Sequence, residues 1–127
     1  MLTFNNFLVV AAGGLVGSVL RWWVSVVLNP LLAAVPLGTL TVNIVGGFII
    51  GMALAYFVVR PDTPVAMRLL VTSGFCGGFT TFSAFSAEVV GFMMQGRLAF
   101  ALATIAANLA GALLATYCGM KVVQGMA

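Results

Sequence analysis

The sequence predicts an all-α integral membrane protein with four transmembrane helices per subunit, the third of them broken. Three observations carry that reading. Of 127 residues, 63% are hydrophobic and only 6% charged, where a soluble domain carries about 25% charge. The apolar residues fall into four runs, each at least the roughly 20 residues that a spanning helix needs. One of those runs is interrupted by glycines and hydroxyls. A soluble domain this small could not bury so much apolar surface, so most of it faces lipid.

The first span is expected from Phe7 to Leu28, where "NP" at Asn29-Pro30 disfavours further helix. The second runs from Leu37 to Val59 and stops at "RPDTP". The third runs from Val65 to Gln95 and is bounded by "QGR"; the fourth runs from Leu98 to Val123. The links are short, so neighbouring helices are antiparallel. The start "MLTFNNFLVV" lacks the basic n-region of a signal peptide, so the first run is expected to stay in the mature protein. The expectation is one four-helix domain over residues 1–127, multi-pass in the cell membrane.

Composition also excludes functions. A net charge of +3 with five scattered cations lacks the clustered basic face of a nucleic-acid binder. Cys76 and Cys118 sit in apolar runs without metal-ligand spacing and read as free thiols. There is no histidine and no phosphate-binding loop of the GxxxxGK[ST] type. An enzyme is not expected.

Small residues recur in "AAGGLVGS", "GGFIIG" and "AANLAGALLA". Between helices in lipid they allow the close approach that replaces the hydrophobic drive, and they predict assembly into an oligomer. Arg60, Arg68 and Lys121 lie on the side of the N-terminus, against Arg97, or Arg97 and Arg21, on the other. So small a bias in the positive-inside count allows insertion both ways, and hence an antiparallel homodimer.

The third span is too long for one straight helix. From Val65 to Gln95 it would measure about 46 Å at 1.5 Å per residue, against a hydrocarbon core of about 30 Å. "SGFCGGFTTFS" places Gly74, Gly77 and Gly78 beside Thr80 and Thr81, all weak helix formers. The break is expected near Gly77 to Thr80. Unwound backbone at membrane depth must line a cavity or be buried in protein, and its freed carbonyls can form a hard-cation site. Thr80, Thr81, Ser83 and Ser86 add hydroxyls.

Phe82 and Phe85 are three apart and share a helix face. Such spacing is first a packing signal, but ring edges carry positive charge and can line an anion path without binding too tightly to release it. Asn43 in the second span offers two amide donors, either to an anion or to another helix. Arg21 is expected to snorkel to the nearby surface, and would attract anions if it faced a vestibule instead. Glu88 fits a protonated structural group, an ion handle or a partner for Arg21. Thr104 and Asn108 share a face of the fourth span and are candidate lining.

"GTLTVNIVGGFIIG" and "GFCGGFTTFSAFSAE" together resemble the Fluc (CrcB) family of fluoride channels, over essentially the whole chain. The resemblance implies a dual-topology antiparallel homodimer with two fluoride pathways and passive export of fluoride. It places pathway roles on Asn43, Phe82 and Phe85. Thr81 and Ser83 become neighbouring hydroxyls, and Arg21 sits near a vestibule. It also implies a structural Na+ at the dimer axis, held by the backbone carbonyls of Gly77 and Thr80. Ala84 replaces a frequent threonine, and Asn108 with Ala112 departs from the family's hydroxyl track. The implied partners are a second copy, fluoride and the bilayer. A small dual-topology multidrug transporter would need a carboxylate in the first span, which has none. A non-transporting scaffold subunit would not need the phenylalanines at the break.

Overall fold

The computed structural model describes residues 1–126, and every regular element among them is helical. The α-helices in order are α1 (Phe4–Leu28), which runs on into a 3-10 turn at Asn29–Leu31, α2 (Leu37–Val59), α3 (Val65–Leu69), α4 (Gly77–Phe79), α5 (Ser83–Met94) and α6 (Leu98–Met126). A π-helical stretch, Leu70–Cys76, joins α3 to α4. Helices α1, α2 and α6 and the composite third span Val65–Met94 are long and apolar enough to cross a membrane. This is a multi-pass membrane protein.

Helix α1 begins at Phe4 rather than Phe7, because the Thr3 hydroxyl accepts the Asn6 N–H at 3.2 Å and caps an extra turn. Pro36 stands at the start of α2 without a capping side chain. Asn29 supplies one from the preceding link, its Oδ1 accepting the Thr39 N–H at 3.1 Å. In the next link Arg68 donates to the carbonyls of Pro61 (2.7 Å) and Thr63 (3.1 Å), and lies over the Phe57 ring. Helix α5 closes at Gly96, whose φ of 74° suits glycine alone among common residues. The Gly96 N–H reaches the Met93 carbonyl and the Arg97 N–H the Phe92 carbonyl, the paired closure that satisfies a helix C-terminus.

Glycines bring the backbones together. Helix α2 packs on α6, where a Cβ on Gly47 would stand 2.9 Å from the Ala112 carbonyl and one on Gly51 would strike that of Thr116. Helix α1 packs on the third span in the same way. A Cβ on Gly13 would lie 2.7 Å from the Leu70 carbonyl, and one on Gly78 would lie 2.7 Å from that of Gly14. Beyond this seam, Phe85 and Val89 of α5 bury against Ala101 of α6, flanked by Phe92 and Ile105.

Candidate functional site

Helical geometry stops at Thr80, whose φ of −87° and ψ of 161° are extended. Gly77 to Phe79, which the sequence places in the unwound part, is helical; the non-helical residues are Thr80 to Phe82. Helical dihedrals at Gly77 cost glycine only conformational entropy, and the Thr80 N–H still reaches the Cys76 carbonyl at 3.0 Å. The Thr80 hydroxyl donates to that same carbonyl at 2.8 Å. Its methyl occupies the space left by Gly46, where any Cβ would collide with it. The first glycine of the "GG" pair in α2 therefore makes room for the chain at Thr80.

Past this point backbone groups need partners that the helix no longer provides. Asn43 of α2 supplies both for Thr81. Its Oδ1 accepts the Thr81 N–H at 2.8 Å, and its Nδ2 donates to the Thr81 carbonyl at 3.0 Å. The second Nδ2 proton goes to Asn108 Oδ1 at 2.9 Å. Asn108, 3% exposed, donates in turn to the Thr104 carbonyl at 3.0 Å. A carboxamide has only two N–H donors, so both of Asn43's are engaged within the chain. The Thr81 Oγ1 accepts the Ala84 N–H at 3.1 Å and caps α5, which leaves its own proton to donate elsewhere.

Other carbonyls at the break fare differently. Gly78's accepts from Arg21 Nε at 2.9 Å. None of the hydrogen bonds at the break ends on the carbonyls of Gly77 or Thr80 among the described residues. No group of three or more His, Cys, Asp or Glu side chains capable of holding a metal occurs among those residues. Any cation at this site would be held by neutral oxygens.

These residues converge on an open groove of about 440 Å³, walled by Asn43, Thr80, Thr81, Phe82, Phe85 and Asn108, with Gly77 also lining it. The two rings meet edge to face, centroids 5.4 Å apart and planes 67° apart. They are not equivalent. Phe85 is 6% exposed and belongs to the packed interior, whereas Phe82 is 73% exposed and projects from the groove wall. Ser83 is exposed and lies outside the lining.

The half-buried head of Arg21 turns toward the third span, where its Nε donates to the freed Gly78 carbonyl. Glu88 does not pair with it; both carboxyl oxygens are buried without a hydrogen-bond partner among the described residues. Thr104, fully buried, donates to the Ala34 carbonyl at 3.2 Å and so ties α6 to the first link. The Asn43–Asn108 bond was not evident in the sequence. Its only trace there is the single asparagine inside each of the second and fourth apolar runs, Asn43 and Asn108.

A family model described as "CrcB-like protein, Camphor Resistance (CrcB)" matches residues 8–120. The chain belongs to the CrcB-like family. Among its relatives are the "Fluoride-specific ion channel FluC" of Pseudomonas aeruginosa, 47% identical over 92% of both chains, and that of Serratia proteamaculans, 53% identical over 88% of both. The "Fluoride-specific ion channel FluC 1" of Yersinia pestis is 49% identical over 98% of both. The CrcB-like match begins within α1 and ends within α6, so the second and third spans, most of α1 and α6, and the groove fall inside it.

Proposed function

We propose that the protein is a fluoride-selective channel that lets fluoride leave the cell passively. The observation that carries this reading is its close similarity, over nearly its full length, to proteins named as fluoride-specific channels. The groove supports it physically. One wall presents an exposed ring, a free threonine hydroxyl and no fixed charge. A strongly hydrated small anion needs close donors in place of water, yet must bind weakly enough to leave.

The reading assigns distinct roles. Phe82 and Phe85 offer ring edges, and Thr81 offers a hydroxyl proton from the groove wall. Ser83, outside the lining of one chain, offers its hydroxyl only where a second copy closes over it. Asn43 serves first by holding Thr81, so that the chain at the break keeps one shape. The open groove is closed by a second copy inserted antiparallel, with Phe82 projecting toward it. The break in the third span then sits near the two-fold axis, where the same residues from both chains meet. The carbonyls of Gly77 and Thr80, lacking donors among the described residues, fit a structural Na+ there: they are hard neutral oxygens, three residues apart. Bound Na+ would neutralise these carbonyl dipoles and join the two copies.

The test is purified protein in liposomes loaded with potassium fluoride, with a potassium ionophore added and external fluoride read by electrode. Fluoride release without matching chloride release is expected. No release from a folded, dimeric preparation overturns the proposal.

A further inference from the structure

Arg21 lies at membrane depth, and its partner there is a backbone carbonyl rather than a carboxylate. We infer that Arg21 is a positioning residue of the conduction pathway, acting on the break in the third span through the Gly78 carbonyl and not by meeting the anion. This inference rests on the channel reading for its flux readout only.

The break in the third span releases carbonyls. With Thr80 extended, the amides that would close the next helical turn are diverted. That of Thr81 goes to Asn43 and that of Ala84 to the Thr81 hydroxyl. Carbonyls left in this way at membrane depth must find protein or water. Two of them are taken by side chains from different helices: Thr81's by Asn43 of α2, Gly78's by Arg21 of α1. Three remain without a donor among the described residues, those of Gly77, Phe79 and Thr80, and of these Gly77 and Thr80 belong to residues that line the groove. Arg21 thus settles which oxygens stay free, and holds the turn that carries Thr80 and Phe82.

The location explains why the anchor comes from α1. One and two turns earlier, Ser18 and Gly14 press so closely on Gly78 that a Cβ there would lie within 3.1 Å of both backbones. This contact fixes the distance between the two helices but not the rotation of the Gly78 peptide. A directed hydrogen bond at 2.9 Å fixes the rotation. Arg21 is also absent from the groove lining, which separates it from residues that would touch the anion.

The chemistry of the side chain provides the test. The Gln amide nitrogen stands at the same number of bonds from Cα as the Arg Nε, and it is neutral. Lys keeps the charge but carries its nitrogen one bond further out. In liposomes, flux is expected to fall roughly tenfold in Arg21→Met, the size of one lost charge-assisted hydrogen bond. It is expected to recover in Arg21→Gln and to remain low in Arg21→Lys. The second readout is amide hydrogen exchange across residues 77–82. Exchange should quicken in Arg21→Met and Arg21→Lys and match the wild type in Arg21→Gln. If Lys preserves flux while Gln loses it, Arg21 acts as a charge and the inference is wrong. It is equally wrong if Gln fails on both readouts, or if Met changes neither. Wild-type protein that releases no fluoride defeats the channel proposal instead, and the exchange pattern still decides the role of Arg21. Should Arg21→Met fail to fold, the order of Gln and Lys decides the matter alone.

Discussion

The carboxamide of Asn43 occupies both backbone groups of Thr81 and is itself oriented by Asn108. This chain of bonds yields a ranking. Asn43→Ala leaves the Thr81 N–H and carbonyl without partners, each costing about 1–3 kcal/mol when buried. Asn108→Leu strands one Asn43 proton and costs about one such group. Unfolding measured in detergent should therefore place Asn43→Ala below Asn108→Leu, with wild type highest, and flux should follow the same order. Wild-type stability and flux in Asn108→Leu would show that Asn108 does not orient Asn43. The two rings should separate in the same assays. Phe85→Ala opens a cavity beside Val89 and Ala101 and should cost about 3–5 kcal/mol. Phe82→Ile, at an exposed position, should lower flux while leaving the stability of the fold within about 1 kcal/mol.

At the scale of elements, the glycine seam between α1 and the third span sets the site in place. Gly78→Ala would push its new methyl into the Gly14 carbonyl and stretch the Arg21 bond. A methyl added at Gly91 in α5 would meet nothing within 4 Å, so Gly91→Ala should be neutral or gain up to about 1 kcal/mol from helix propensity. Comparing the folded yield and melting of these two variants checks the seam; equal behaviour would refute it. Hydropathy and punctuation made the four spans legible, since "NP", "RPDTP" and "QGR" stand where α1, α2 and α5 end. The interior of the third span was less legible. Its π-helical stretch, Leu70–Cys76, lies against Gly13 and Gly17, whose missing side chains leave room for the backbone of Leu70, Phe75 and Phe79, a contact that propensity alone does not report. The inward turn of Arg21 was hidden for a related reason. Periodicity places a residue on its own helix, but says nothing of an acceptor freed on another.

For the whole molecule, the charge distribution changes once Arg21 is placed. Held on the Gly78 carbonyl, it is not a loop charge, so Arg60, Arg68 and Lys121 on one side stand against Arg97 on the other, with Asp62 beside the first group. That remains a small asymmetry for a rule that counts cations near span ends. Gly77 bears on the proposed pairing of two copies. It is exposed, and a Cβ there would meet only the Thr72 carbonyl at an ordinary 3.7 Å, so nothing among the described residues demands glycine. A second copy pressed against that face would demand it. Gly77→Ala should then favour the single chain's helix by up to about 1 kcal/mol, yet reduce the dimer seen by crosslinking in liposomes. An undiminished dimer would remove this face from the interface. Orientation can be tested by adding lysines to either end of the molecule. Three placed around Gln95 should lock one orientation, and three around Asp62 the other. If the working unit is antiparallel, each locked form expressed alone should carry little fluoride, and the two expressed together should recover flux. Full activity from one locked form alone would mean that the copies are parallel, or that a single chain suffices.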